Sequence, residues 1–423
     1  MTTTIVQIAE KAQKNPELVF NSIAHLLTPK MLKKSFDILR KDAAKGIDGV
    51  SYADYSKNLD SNIWQLHHDL KNRSYKVQPL KRVWIDKGNN KKRPIGISSI
   101  QDKIVQRAVT TLLNAIYEQD FYDFSYGFRE KRNPHQALKY FWKQGMKKNI
   151  NWFINADIKG CFDNFDHQIL RDILRKRVND GCINWLIDIW MKTQIIDGSQ
   201  MSTNSEGTPQ GGIISPLLAN IYLHETIDKW IIEQIKPLLK GDIFIVRFAD
   251  DFIIGLEYQQ DAEKLYEVLP KRLEKYGLDL SVEKSRLQNF VPQNKEHNNT
   301  IDFLGFTHYW SKTRKGKDTI KKKTRRKSKH RILKALYLLI KTNRHLKVVV
   351  QFQEIKRKLI SYYQYYAVSD NYPFLKMLYY RTRLFWFKML NRRGGRKKSF
   401  TISEFKKFMC KFALPKPRIL HVI

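Results

Sequence analysis

Cysteine is scarce in this 423-residue chain. Cys161, Cys182 and Cys410 are too few and too scattered for a disulfide framework or a four-ligand zinc site. Long apolar runs are missing too. The best stretch, residues 332–340, is short and carries Lys334, whereas a bilayer span needs about 20 apolar residues. The first 18 residues are polar and lack the apolar segment of a secretory leader. These absences exclude a membrane partner and predict a reduced, cytoplasmic protein. Acidic residues are also in short supply, with 41 Asp and Glu against 77 Lys and Arg, a net charge of +36. Such a chain repels itself unless it meets a polyanion, of which nucleic acid is the commonest. A hydrophobic content of 42% still provides for a sizeable core, which wholesale disorder does not allow.

The excess charge is not evenly spread. Residues 311–423 hold 33 Lys and Arg against 4 Asp and Glu, a net of +29, which leaves the first 310 residues at only +7. A nearly balanced body is therefore followed by a basic module. The run SKTRKGKDTIKKKTRR at 311–326 opens it, and RRGGRKK at 392–398 breaks it with two glycines. Either run alone also suits a solvated surface or a linker. The aromatic residues between them, among them Tyr362, Tyr363, Tyr365, Tyr366, Tyr379 and Trp386, change the balance, although a helical bundle must take some of these rings for its core. Bases stack on aromatic rings while lysines follow the phosphates. Lys321, Lys322, Lys323, Arg325, Arg326, Lys327, Tyr365 and Tyr366 are the candidate nucleic-acid contacts.

Apolar residues at three- and four-residue spacing predict helices over 29–44, 51–71 and 100–120. Residues 81–97 read as a hairpin around Lys87-Gly88-Asn89-Asn90, and 152–158 as a short buried strand ending in an acid. Helices follow over 167–178 and 183–193. A glycine-rich loop at 207–212 then opens a helix over 215–232. Residues 243–256 form a hairpin with two acids at its tip, and 260–276 and about 327–390 are helical. Mixed strands and helices followed by helices alone predict an α+β body with an all-helical appendage.

Three segments carry chemistry. Asp157 ends a buried strand, which presents its carboxylate at the sheet edge. Asp250 and Asp251 sit at a hairpin tip between apolar strands, IFIVRF and FIIGL, where adjacent like charges need a counter-cation to stay ionised. All-oxygen ligands select Mg²⁺, with Mn²⁺ as the alternative. The loop EGTPQGG allows close backbone approach, as a nucleotide or primer strand requires, and Ser215-Pro216 starts a helix. In this order the three segments fit a nucleotidyl-transfer site, where two metal ions activate a primer hydroxyl and stabilise pyrophosphate.

At these residues the chain resembles bacterial group II intron-encoded reverse transcriptases. Phe248-Ala249-Asp250-Asp251 is similar to the family's Tyr-Ala-Asp-Asp box, and Asp157 with Cys161-Phe162-Asp163 to its first aspartate and the Phe-Asp that follows. GTPQGG running into Ser215-Pro216-Leu217-Leu218-Ala219-Asn220 is close to its most distinctive stretch. Ser125-Tyr126-Gly127-Phe128-Arg129, Arg93-Pro94-Ile95-Gly96-Ile97, Phe303-Leu304-Gly305-Phe306 and Gly46-Ile47-Asp48-Gly49-Val50 match in order. Tyr362-Tyr363-Gln364-Tyr365-Tyr366 and Leu414-Pro415-Lys416-Pro417-Arg418 resemble the thumb and maturase segment.

The resemblance implies a right-hand polymerase. Residues 1–150 would be the N-terminal extension and fingers, 151–310 the palm, and 311–423 the helical thumb and maturase module. Asp157, Asp250 and Asp251 would hold the metal ions. Lys87 and Arg93 would contact the incoming triphosphate, Phe162 would exclude a ribose 2′-hydroxyl, and Gln210 would line the nucleotide pocket. The implied partners are an RNA template, a DNA primer, deoxynucleoside triphosphates and structured RNA, group II intron RNA in the first instance. Phe248 in place of Tyr loses a hydroxyl and keeps the ring. With no Cys/His-rich segment following, an endonuclease domain is expected to be missing. Two alternatives stay open: a domesticated or antiphage reverse transcriptase acting on its own noncoding RNA, and a splicing cofactor that binds RNA without polymerising.

Overall fold

The computed structural model describes residues 4–88, 91–147, 149–198, 200–203, 207, 211–292, 299–393 and 400–423. It is a mixed helix-and-sheet protein of two compact units, Met1–Ala137 with Trp152–Leu287, and Leu138–Asn151 with Gln288–Ile423.

In the first unit, one sheet orders its strands Ile243–Phe248, Asp251–Leu256, Trp152–Lys159 and Asp279–Leu280, each antiparallel to its neighbour. Phe153, Ile154, Ala156, Phe252, Ile253 and Ile254 are all fully buried. Both faces are therefore covered, which is why these strands read as continuous apolar runs rather than alternating ones. Leu265, Leu269 and Leu273, on the helix Gln259–Glu274, are buried where that helix meets the sheet.

The helix Ile100–Asp120 is the hub of the rest of this unit, packing against Ile5–Lys14, Pro29–Asp37 and Ser215–Leu223. Ser99 caps it by accepting from Asp102 N. Ile104, Val105, Ala108, Val109, Leu112, Leu113 and Ile116 have no exposed surface. Burying each large side chain stabilises by about 1.5–3 kcal/mol. Packing, rather than helix propensity, therefore holds this element in place.

The predicted hairpin forms from Leu80–Gly88 and Lys91–Ile97. It belongs to a larger sheet, because Leu80 and Lys81 pair in parallel with Ile195 and Ile196, and Gln200–Thr203 closes the far side. The sequence around 194–203 is too short and too polar to read as strands. The helix expected over 215–232 is α-helical only to Leu223; His224–Asp228 and Trp230–Ile235 widen to π geometry.

The second unit joins an antiparallel sheet, Thr300–Phe303, Phe306–Lys312 and Asp318–Thr324, to the helices Arg326–Thr342, Val348–Tyr366, Tyr372–Asn391 and Ile402–Lys411. Helices alone were expected beyond residue 311, and this is corrected: the basic run at 311–326 is largely β-strand. Ile320, Lys322 and Thr324 point inward at every second position and are buried. A lysine at an inward position hides this alternation from any reading of polarity. The Lys322 ammonium donates to Ile423 O (3.1 Å) and lies 3.8 Å from the Asp370 carboxylate. Among the helices, Ile332, Leu336, Leu359, Leu375, Leu378 and Trp386 form the core, and Trp386 Nε1 donates to Gln351 Oε1 (2.9 Å). Among the described residues, no helix is long and apolar enough to cross a membrane.

Candidate active site

The strand Trp152–Lys159 lies beside Asp251–Leu256 in a register that sets Asp157 directly opposite Asp251. Asp250 precedes that strand in the tight turn after Ile243–Phe248, and its carbonyl accepts from Ile158 N (3.4 Å). The turn requires Ala249 to take a positive φ of 58°, a left-handed conformation that an L-residue adopts only when its surroundings impose it. Asp157, distant in sequence, thus meets the adjacent pair Asp250 and Asp251 at one end of neighbouring strands.

Their charges act on one another and on nearby cations. Burial pushes the Asp250 carboxyl above the ordinary carboxylate range and the charge of Asp157 adds to this, while Lys284 and Arg93 pull it back down. The Lys284 ammonium pairs with the Asp157 carboxylate. Ser281 N donates to Asp157 O (2.8 Å), which ties the segment carrying Lys284 to the end of the strand. Among the described residues, no three His, Cys, Asp or Glu side chains gather closely enough to enclose an ion as they stand.

The other predicted site residues are placed as follows. Arg93 is exposed on the strand Lys91–Ile97, and its charge acts on Asp250. Phe162 lies within a turn begun by Gly160 (φ +56°) and closed by Asp163 N donating to Gly160 O (2.7 Å). Its half-buried ring meets Phe128 edge-on at 6.2 Å. Cys161, next to it, is buried, and burial with the nearby Asp250 charge pushes its thiol up, so it is not a nucleophile. Lys87 is described in its backbone only, within Leu80–Gly88, and Gln210 lies outside the described residues.

Two described glycines of the loop, Gly207 and Gly211, lie against the protein's own backbone. A side chain at Gly207 would stand 2.5 Å from the Asp163 carbonyl, and one at Gly211 would stand 2.4 Å from Gly96 O. Close approach here is to the protein's own backbone, the turn bearing Phe162 and the strand bearing Arg93. His167 Nε2 donates to Gly207 O (2.7 Å), and Ile213 N donates to Gln106 Oε1 (2.8 Å).

Gly127 is equally constrained, since a Cβ there would fall 2.3 Å from Ala249 N. Both partners are backbone and neither can swing aside. Gly127→Ala is expected to lower the unfolding free energy by about 1–3 kcal/mol, the usual range for overpacking. Denaturant titration checks this, and an unchanged midpoint would mean the turn yields.

In the second unit the candidate contacts separate into two groups. Arg326 and Lys327 are exposed at the start of a helix whose first turn holds no acid. Lys323 lies exposed with its ammonium 4.9 Å over the Tyr309 ring, and Lys321 is half-exposed. Arg325 pairs with Asp302 (2.8 Å). Lys322 and Tyr366 are buried, and Tyr365 stacks on Phe306 (5.9 Å) while its hydroxyl donates to Leu304 O (2.8 Å). Buried residues cannot meet a ligand, so Lys322 and Tyr366 belong to the core.

Sequence reasoning missed Lys284, Gln106 and Arg247. Nothing local marks the first two, which lie far along the chain from their partners. Arg247 did carry a signal, as a charge inside the apolar strand IFIVRF.

Three acids at one end of two neighbouring strands, with Gly207 and Gly211 packed closely against nearby backbone and the charge of Arg93 acting on Asp250, make up the candidate site. Residues 85–308 match the family described as reverse transcriptase (RNA-dependent DNA polymerase), and the chain belongs to that family. It is 37% identical over 229 residues to group II intron-encoded protein LtrA of Lactococcus lactis subsp. cremoris, covering 54% of this chain and 38% of the relative. It is 34% identical over 236 residues to protein YkfC of Escherichia coli (strain K12), covering 54% of this chain and 61% of the relative. Nuclear intron maturase 2, mitochondrial, of Arabidopsis thaliana is 24% identical over 183 residues, 33% of this chain and 24% of the relative. The chain thus spans less than two thirds of the length of each. The resemblance to group II intron-encoded reverse transcriptases is borne out over this shared region.

Proposed function

We propose that the protein is an RNA-directed DNA polymerase that extends a DNA primer on an RNA template, and that it also binds group II intron RNA as a maturase. The observation that carries the polymerase reading is the register placing Asp157 opposite Asp251 with Asp250 in the adjoining turn. The donor set suits Mg²⁺ or Mn²⁺: three hard carboxylates, one of them raised by burial and by a neighbouring acid, offer oxygen ligands to a divalent ion. Asp157, Asp250 and Asp251 would hold the ions, which when bound activate the primer 3′-hydroxyl and stabilise the departing pyrophosphate. Lys284 keeps Asp157 neutralised meanwhile, and Arg93 brings a cation suited to the triphosphate. Fingers, palm and thumb are assigned from the family resemblance, with 1–150, 151–310 and 311–423 as their spans. Magnesium-dependent extension of a DNA primer on RNA by the whole protein tests the reading, and no extension would refute it.

Phe162 is assigned to sugar selection. Its ring is half-exposed, follows Asp157 by one tight turn and is held edge-on by Phe128. A rigid ring there clashes only with a sugar bearing a 2′-hydroxyl. Phe162→Ala is therefore expected to relax discrimination against ribonucleotides by roughly 10–200-fold, the span one steric contact supplies. Competition between the two sugars in primer extension measures this, and unaltered discrimination at retained activity would remove the assignment. The maturase reading draws support from relatives named as intron-encoded proteins and as an intron maturase. Sequencing the RNA that copurifies with the protein tests it: a group II intron is expected, and an unrelated noncoding RNA would favour a domesticated role.

A further inference from the structure

Beneath the Ala249–Asp251 turn lies a fully buried charge, Arg247. Its Nε and Nη2 donate to the two oxygens of Asp228 at 2.8 and 2.5 Å. Asp228, also without exposed surface, comes from the π-helical turn His224–Asp228. The remaining nitrogen, Nη1, donates to Asn220 Oδ1 (3.1 Å) and to Ala249 O (3.3 Å). Asn220 Nδ2 in turn donates to Gly127 O (2.6 Å). The Arg247 backbone exchanges hydrogen bonds with the segment before Gly127: Arg247 N donates to Phe124 O and Tyr126 N donates to Arg247 O, both 2.9 Å. The guanidinium therefore connects the helical run carrying Asn220 and Asp228 to the carbonyl immediately before Asp250, and through Asn220 it reaches Gly127.

A buried ion pair is weak evidence for stability. Apolar residues of similar volume usually hold a fold as well or better, because two desolvated charges barely repay their cost. Arg247 stands in an otherwise apolar strand, where a packed aliphatic side chain would serve the sheet equally. What an aliphatic side chain cannot do is grip the Ala249 carbonyl. That carbonyl belongs to a residue at φ +58°, a conformation its surroundings must impose.

We propose that Arg247 is a positioning residue: anchored by Asp228 and Asn220, it holds the Ala249 carbonyl so that Asp250 is presented in its working orientation. This rests on the reading of Asp250 as a metal-binding carboxylate. Like the outer groups that orient metal ligands elsewhere, it sets metal affinity and turnover without touching substrate.

The test compares wild type with Arg247→Met/Asp228→Leu, which removes both charges together, and with Arg247→Lys, which keeps a cation for Asp228 but lacks the fork to reach Ala249. Melting temperature, Mn²⁺ affinity by electron paramagnetic resonance, and kcat and KM for deoxynucleotide are measured on each whole protein. The expected result is a folded variant whose Mn²⁺ affinity drops by about 10–100-fold. Its kcat falls by roughly a hundredfold, as for a displacement of about 1 Å, with KM little changed. A folded variant with wild-type kcat and wild-type Mn²⁺ affinity would overturn the proposal and leave the network as core packing alone. Failure of wild type itself to extend a primer would instead strike the polymerase reading beneath it.

Discussion

Primer extension by Asp250→Ala and by Asp251→Ala proteins is expected to fall at least about a thousandfold, because each change removes a metal ligand worth several kcal/mol to the transition state. Neither change should unfold the protein. For Asp250 the sign is informative. Its carboxyl is raised in the folded state by burial and by Asp157, so its ionised form is less favourable folded than unfolded. A raised acid destabilises as pH climbs through its titration range, and at neutral pH the full cost is present. Asp250→Ala should accordingly melt no lower than wild type in metal-free buffer, and slightly higher, while extending no primer. Asp157→Ala gives the complementary control, since it frees a Lys284 that is largely exposed and contributes little as an ion pair. Primer extension and thermal unfolding are run side by side. Wild-type extension by any of the three would sink the metal assignment.

The second large effect concerns RNA affinity. Residues 311–423 carry +29 of the net charge, but only cations that face solvent can release counterions from a phosphate backbone. Lys321, Lys323, Arg326 and Lys327 meet that condition, whereas Lys322 is buried and Arg325 is engaged by Asp302. Arg326 and Lys327 also open the helix Arg326–Thr342 without an acid in the first turn. Cations there oppose the helix dipole, an arrangement that bound phosphate would relieve. Changing these four to Gln is expected to flatten the plot of log affinity against log salt by roughly 3, at about 0.7 per contact on a single strand. At low salt, affinity should fall by about a hundredfold or more. Filter binding across a salt series reads both quantities, and equal slopes would move the RNA grip elsewhere. Tyr366→Ala is the contrast. Its ring is packed against Phe306 at 5.4 Å and Phe374 at 5.9 Å, so it should lose about 3 kcal/mol of stability before any effect on RNA.

The sequence by itself determined which residues are candidates for the chemistry and their order along the chain. Asp157, the glycine-rich loop and Asp250-Asp251 stand out in combination, since turn aspartates and Asp-Asp pairs are common singly; the apolar runs put Asp157 at a strand end and the pair at a hairpin tip. The helix Ile100–Asp120 and the hairpin Ile243–Leu256 were legible for the same reason, since their apolar patterns are long and uninterrupted. Tertiary structure alone decided what each polar residue faces. Lys322 reads as one lysine among three, yet its strand turns it inward while Lys321 and Lys323 keep access to solvent. The loop glycines read as places of close backbone approach, and the structure shows Asp163 beside Gly207 and Gly96 beside Gly211. The Asp157–Lys284 and Arg247–Asp228 pairs join positions 127 and 19 residues apart. Periodicity reports which face of its own element a residue occupies. It carries no information about which other element closes over that face, and that closure sets burial, charge pairing and the strained turn at Ala249.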